Sequence, residues 1–239
     1  MKPNHLIESR QATILSVLLW FASGACVTLT GIRFLRSHEL AYFNLVWNLF
    51  LAWLPLVFAV LASCRWQSRR QVLLHAFLWL LFLPNAPYLL TDLVHLKSRP
   101  PVPLWFDILL VQSFVLTGLF LGFLSVYLMH RLVSRSFGDR TGWIFITVIL
   151  GLTAFGIYLG RFARWNSWDF FLSPIALAGD AFNLLIHPRS QKTAVGFSTL
   201  CGGLLFLGYL VFYAMAAMSR AAPPLSTPRA GDELLAYRD

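Results

Sequence analysis

The chain is built from long apolar runs separated by short polar connectors. Six such runs cover residues 12–32, 43–62, 72–90, 104–129, 143–160 and 193–218. Each is close to the ~20 residues with which an α-helix, rising ~1.5 Å per residue, crosses the bilayer core. Apolar residues follow one another rather than alternating with polar ones, which argues against an outer-membrane barrel. The pattern predicts an all-α, multi-pass transmembrane bundle of about six spans.

Residues 173–187 follow a different, amphipathic pattern. Ser173 can cap a helix and Pro174 suits its first position. The apolar positions of one side are Ile175, Ala178, Phe182, Leu185 and Ile186, and the polar positions of the other are Asp180, Asn183 and His187. The segment predicts an amphipathic helix in the membrane interface, with a short helix packed on the loops as the alternative.

The two ends of the chain differ in character. Lys2 and Arg10 precede the first apolar run, but this run is too long for the core of a signal peptide, so we expect a retained first span. From Arg220 onward the sequence is rich in proline and then in charge, which predicts a flexible tail. Residues 1–219 are therefore expected to form one helical membrane domain, and residues 220–239 a tail.

Composition and charge agree with a membrane location. Hydrophobic residues make up 58% of the chain and charged residues 12%, against roughly a quarter charged in a soluble domain. This excludes a soluble enzyme, a coiled coil and a disordered chain. The net charge of +9 comes from basic residues between the apolar runs, which is typical of topology signals and headgroup contacts and predicts no nucleic-acid partner. Three cysteines without a CxxC pair indicate neither a disulfide framework nor a redox motif.

Six spans place both termini on one side of the membrane. A small excess of Lys and Arg on that side favours the cytoplasm. The polar residues of the opposite loops are Arg33, Arg36, His38, Glu39, Asp92, His95, Arg161, Arg164, Asn166 and Asp169. We predict that they converge on the non-cytoplasmic face.

Three segments carry a family resemblance. They are AYFNLVWNLFLAWLPL (41–56), LFLPNAPYLLTDLVHL (81–96) and GIYLGRFARWNSWDFF (156–171). Together they resemble the bacterial integral membrane family known as domain of unknown function 1361, over about Arg33 to Met218. The resemblance implies a multi-pass membrane protein, and we expect its location to be the bacterial inner membrane. It carries over no catalytic residue and no established cofactor.

The sequence Pro84-Asn85-Ala86-Pro87 predicts a break inside the third span. Each proline removes a backbone donor and clashes with the carbonyl four residues earlier, which frees carbonyls near Leu80 and Leu83. Asn85 could satisfy one of them or cap the helix that follows. Broken helices at membrane depth often form substrate or ion sites, and a purely structural kink is the alternative.

Asp92 and His95 share a helix face and form the first candidate site for chemistry. They could act as an acid/base pair, with Glu39 and Asp169 as further candidates. Together with His38 they could also bind a divalent metal, although no established zinc motif is present. Hydrogen bonds and ion pairs at the interface are the simpler interpretation.

Arginine pairs three residues apart form the second candidate site. Guanidinium groups match phosphate and carboxylate in a bidentate manner, and the alternative is headgroup contact or pairing with acidic residues. The candidate binding residues are Arg33, Arg36, Asn48, Asn85, Asp107, Arg161, Arg164 and Asn166. Asn44 and Asn48 share a face of the second span, and Asp107 should either pair with an arginine or line a wet cavity.

Gly118 with Gly122, and Gly156 with Gly160, are pairs of small residues one helical turn apart. Such pairs let helices approach closely. They predict tight packing within the chain, or contact with a second copy or another membrane subunit.

These features favour a membrane protein whose polar site binds an anionic lipid or a lipid-linked substrate such as a polyprenyl phosphate. A structural or assembly subunit of a membrane complex and a small-solute transporter are the alternatives. Whether the protein is an enzyme stays open, because fold alone does not decide function.

Overall fold

The computed structural model describes residues 4–64, 68–186 and 192–221. The described helices run, in chain order, α1 Asn4–Ser37, α2 Phe43–Ala62, α3 Arg69–Phe82, α4 Asn85–Tyr88, a 3-10 helix Leu89–His95, α5 Leu104–Phe137, α6 Asp139–Arg161, α7 Asp169–Leu172, α8 Pro174–Ile186 and α9 Lys192–Ala221. Within this part of the chain the extended pairing is confined to an isolated bridge between Arg99 and Val102. The predicted all-α fold is confirmed.

In the part of the chain that the structure describes, six segments are long and apolar enough to cross a membrane. They are Ile14–Ser37, Phe43–Ala62, Arg69–His95, Leu104–Phe137, Asp139–Arg161 and Lys192–Met218. Each contains most of one predicted span, and the helices mainly extend beyond the apolar runs. The reason is that backbone hydrogen bonding continues into the polar connectors, so α5 ends only at Gly138, where φ is +90°.

The third span is broken, as its prolines predict. α3 ends at Phe82, the short helix α4 follows, and the chain then tightens into the 3-10 helix. The Leu83 carbonyl accepts a hydrogen bond from the Ala86 backbone N–H at 3.2 Å. Side-chain donors serve the carbonyls of Leu81 and Phe82, each one residue from the positions near which the prolines predict freed carbonyls.

Two glycines of α5 seat this broken segment. A Cβ atom on Gly118 would lie 2.6 Å from the Ala86 carbonyl oxygen, and one on Gly122 would lie 3.1 Å from Ala86 Cβ. Only glycine allows the backbone of α4 to approach this closely.

Two glycines of α6 hold the same segment from the other side. A Cβ on Gly156 would lie 2.7 Å from Pro84 Cγ, and one on Gly160 would lie 3.3 Å from the Tyr88 ring. Of the alternatives stated for the two glycine pairs, the structure shows close packing within the chain.

Replacing Gly156 with Ala is expected to lower the free energy of unfolding by about 1–3 kcal/mol, because the added methyl group pushes Pro84 away. Gly151→Ala on the same helix is the matched control, since a Cβ there meets nothing within 4 Å. Thermal unfolding in detergent, followed by circular dichroism, should show a lower midpoint for Gly156→Ala alone. Equal midpoints for the two variants would contradict this packing.

A fully buried ion pair joins α1 to α5. Arg33 Nε donates to Asp107 Oδ1 at 2.8 Å and Arg33 Nη2 donates to Oδ2 at 3.2 Å, with both side chains 0% exposed. A third donor of Arg33 reaches Ser37 Oγ at 3.2 Å, and the Tyr42 ring centroid lies 5.1 Å from the guanidinium carbon. This guanidinium is therefore enclosed by protein partners.

The predicted helix after residue 173 is present as α8. Its apolar residues Ile175 and Phe182 are exposed, as expected of a helix whose apolar side faces lipid. Asp180 on the polar side accepts a hydrogen bond from Trp165 Nε1 at 3.0 Å, which ties α8 to the loop after α6. His187 and residues 222–239 of the predicted tail lie outside the described residues.

Candidate functional site: a polar cavity beside the broken span

A cavity of about 380 Å³ opens between α2, the broken third span and the carboxyl end of α6. This volume lies in the range of small-molecule sites. Its polar and ionisable lining residues are Asn44, Asn48, Asn85, Tyr88, Asp92, His95, Arg161, Asn166 and Ser167. Its aromatic rim consists of Trp47, Trp165 and Trp168. Two of the three polar loops therefore meet here, together with the first turns of α2.

The break in the third span creates one wall of the cavity. Asn85 Nδ2 donates both to the Phe82 carbonyl and to Ser167 Oγ, each at 2.9 Å. Ser167 Oγ in turn donates to the Leu81 carbonyl at 3.1 Å. Backbone groups exposed by a broken membrane helix need such partners. The loop after α6 is thus attached directly to the end of α3, which fixes the position of its tryptophans.

Asp92 and His95 are brought to the cavity by the 3-10 helix. Residues three apart eclipse each other in this geometry, and both line the cavity as their spacing predicts. The Asp92 side chain is 5% exposed and accepts a hydrogen bond from Asn48 Nδ2 at 3.2 Å. His95 is exposed. The cavity therefore holds one buried carboxylate and one imidazole that solvent or a ligand can reach.

Arg161 is the cation of the cavity, and its side chain is 15% exposed. Its Nη1 lies 3.8 Å from Asp92 Oδ1, which is an ion pair beyond hydrogen-bonding distance. Within residues 4–64, 68–186 and 192–221, no hydrogen bond to the guanidinium is found. A guanidinium carries five N–H donors. Arg161 therefore presents to the cavity N–H donors for which the described residues provide no hydrogen-bond acceptor.

Arg33, near the end of α1, and Arg161, at the end of α6, thus differ in environment. Arg33 makes three hydrogen bonds, two to Asp107 and one to Ser37, and lies over a tyrosine ring, whereas the described partner of Arg161 is a counter-charge 3.8 Å away. Arg33 and Asp107 do not line the cavity. Asp107 was predicted either to pair with an arginine or to line a wet cavity, and the structure shows the pairing.

The first loop takes no part in the cavity. The prediction that the three polar loops share one membrane face left open whether they form one pocket, and the structure shows that only two of them do. Arg36, His38 and Glu39 are exposed and are absent from the lining. Tyr42 lies between Arg33 and Arg99, with 5.3 Å from the Arg99 guanidinium carbon to its ring centroid. The buried pair of Arg33 with Asp107 attaches the end of α1, from which this loop continues, to α5.

Two residues of the third loop also point elsewhere. Arg164 is exposed and adopts φ +60°. Asp169 accepts a hydrogen bond from the Asn166 backbone N–H at 2.7 Å, so its carboxylate closes a local turn. The acid/base candidates Glu39 and Asp169 are therefore absent from the lining of the cavity that holds Asp92 and His95, while Asn166 is part of that lining.

A metal site at His38, Asp92 and His95 is not supported. Among the residues that the structure describes, no group of three His, Cys, Asp or Glu side chains could hold a metal ion. His38 lies on the loop that does not join the cavity.

Sequence reasoning missed Tyr88 and the role of Ser167. Tyr88 directly follows the proline-rich break and lines the cavity beside it. Its position next to the break was the signal for this role. Ser167 lies between Trp165 and Trp168 in the WNSWD stretch. A hydroxyl between two apolar rings needs a hydrogen-bond partner, and the structure shows that this partner is the Leu81 carbonyl of the broken span.

The fold and the cavity define a polytopic α-helical membrane protein with a polar site near one end of its spans. Residues 47–208 match the family described as Protein of unknown function (DUF1361). Because this match covers more than half of the chain, the chain belongs to that family, as its motifs predict.

One curated relative is cytochrome c oxidase subunit 3 of Bacillus subtilis (strain 168). It is 33% identical over 100 residues, which are 41% of this chain and 47% of that protein. The chain thus spans about half the length of the curated relative that it matches. No solved structure matches the chain.

Proposed function

We propose that the cavity binds the phosphate-bearing headgroup of an anionic lipid or lipid-linked substrate. The observation that carries the proposal is the unsaturated guanidinium of Arg161 inside a polar cavity. A bidentate contact with phosphate would supply hydrogen-bond partners that the described residues do not provide.

The remaining lining suits the other parts of such a headgroup. Asn44, Asn48 and Asn166 offer both donors and acceptors to hydroxyl or amide groups. The tryptophans on the rim suit the boundary between apolar chains and water. The proposal places the cavity at the non-cytoplasmic face of a bacterial inner membrane. The small excess of Lys and Arg on the side of the two termini supports this orientation.

Native mass spectrometry of protein released gently from detergent tests the proposal. The wild type should retain a stoichiometric phosphate-bearing lipid, and Arg161→Gln should lose it. Arg164→Gln is the matched control, because Arg164 is an exposed arginine three residues away that does not line the cavity. Bare polypeptide in the wild type, or equal lipid retention in Arg161→Gln, would overturn the proposal.

A second candidate function is that of a subunit in a larger membrane complex. The identity to a protein named as a subunit, cytochrome c oxidase subunit 3, favours it. The same spectra would then show a second polypeptide at fixed stoichiometry with the wild type, independent of Arg161.

A further inference from the structure

A second, apolar groove of about 400 Å³ lies beside the polar cavity. The broken third span forms one wall, with Leu90 and Val94, and α9 forms the other, with Leu200 and Leu204. Val94, Leu200 and Leu204 are between 56% and 77% exposed, so the groove opens sideways toward the lipid that surrounds the spans.

Arg161 lines both the groove and the polar cavity. A cation at the border of a hydrocarbon-facing groove is costly unless it meets an anion. The carboxylate of Asp92 reaches it only at 3.8 Å and from the cavity side. The groove therefore ends at a cation whose described counter-charge lies 3.8 Å away on the cavity side.

We infer that the ligand of the polar cavity is a membrane lipid whose hydrocarbon chain leaves the cavity through this groove, between the 3-10 helix and α9, with its phosphate at Arg161. This inference rests on the proposed function and narrows its substrate class to lipids that reach the site sideways from the bilayer. A free phosphate or a soluble phosphate ester would fill the cavity alone.

The groove suits the hydrocarbon chain of a lipid because its two ends differ in polarity. Toward Arg161 it meets the polar cavity, and along Leu200 and Leu204 its surface is mainly apolar. An amphiphile with its phosphate at the border satisfies both parts at once. A chain directed into the polar cavity would instead bury apolar surface against Asn48, Asn85 and Asp92, which have polar groups to satisfy.

Variants that fill the groove test the inference. Leu204→Trp on α9 and Val94→Trp on the facing 3-10 helix place bulk in the groove from opposite walls. Leu207→Trp is the control, because Leu207 is a similarly exposed leucine of α9 that does not line the groove. Each protein is titrated in detergent with dioleoyl phosphatidate and, separately, with glycerol phosphate, and binding is read by native mass spectrometry.

We expect each groove variant to lose at least tenfold in affinity for dioleoyl phosphatidate while it binds glycerol phosphate like the wild type and the Leu207→Trp control. Unchanged affinity for the long-chain lipid in both groove variants would overturn the inference and leave the proposed function standing. A wild type that binds neither probe would overturn the proposed function, and the inference with it. Equal loss of both probes in both groove variants would also overturn the inference, because it would assign the groove a role in holding the cavity.

Discussion

Asp107→Asn is expected to lower the free energy of unfolding by about 3–5 kcal/mol, the cost of leaving one member of a buried ion pair alone. The variant keeps the shape of the side chain but removes the charge that neutralises Arg33. Arginine does not lose its proton in proteins, and Arg33 is 0% exposed. The measurement is unfolding by titration of a denaturing detergent into mixed micelles.

The control for this prediction is Arg36→Gln, at an exposed arginine one turn further along α1. It should change the free energy of unfolding by less than about 1 kcal/mol, as is usual for exposed charges. The double variant Arg33→Met with Asp107→Leu should recover most of the loss, because an apolar pair needs no counter-charge. A similarly small change in the free energy of unfolding for Asp107→Asn and Arg36→Gln would contradict a stabilising role of the buried ion pair.

Asp92→Asn is expected to raise the affinity for a phosphate-bearing headgroup by about tenfold or more. The Asp92 carboxylate lies 3.8 Å from Arg161, where it competes for the guanidinium and repels a second anion. Two like charges about 5 Å apart interact by roughly 3 kcal/mol at an effective dielectric constant of about 20. The asparagine oxygen can still accept the hydrogen bond from Asn48.

Titration of dioleoyl phosphatidate into the variant, read by native mass spectrometry, measures this effect. Asp180→Asn serves as the control. Asp180 is a residue of α8 that accepts a hydrogen bond from Trp165 and does not itself line the cavity. Weaker binding by Asp92→Asn would show that the carboxylate holds Arg161 in its binding position, which the competition argument excludes.

The architecture was predictable because hydrophobicity and chain length determine it locally. A run of apolar residues near ~20 in length has one stable state in a bilayer, the helix. The break at Pro84 and Pro87 was equally readable, because proline acts on its own backbone. Its hydrogen-bond partners were not, since Ser167 comes from a loop 82 residues away from Asn85.

The candidate site was only partly predictable, and the arginines show why. Arg33 and Arg161 look alike in sequence, each at the end of an apolar run and each three residues before a second arginine. Their roles separate only through partners distant in the chain, Asp107 for one and Asp92 for the other. Loop parity could assign both arginines to one membrane end, but it could not say which helices they face there.

The glycine pairs illustrate the same limit. Their spacing predicts close packing, and the structure shows that the broken segment from Pro84 to Leu89 packs there, with a backbone carbonyl on Gly118 and with the side chains of Pro84 and Tyr88 on Gly156 and Gly160. Four glycines on two helices thus position the short helix that precedes Asp92 and His95. The close packing of α5 and α6 on the broken segment therefore also determines the shape of the cavity.

The central claim is that the Arg161 guanidinium contacts the phosphate of a lipid. Solid-state NMR in proteoliposomes containing phosphatidate measures this contact directly, through dipolar coupling between ¹⁵N-labelled arginine side chains and ³¹P. We predict a short-range coupling in the wild type that persists in Arg164→Gln and disappears in Arg161→Gln. A coupling that is absent from the wild type, or that survives in Arg161→Gln, would contradict the claim.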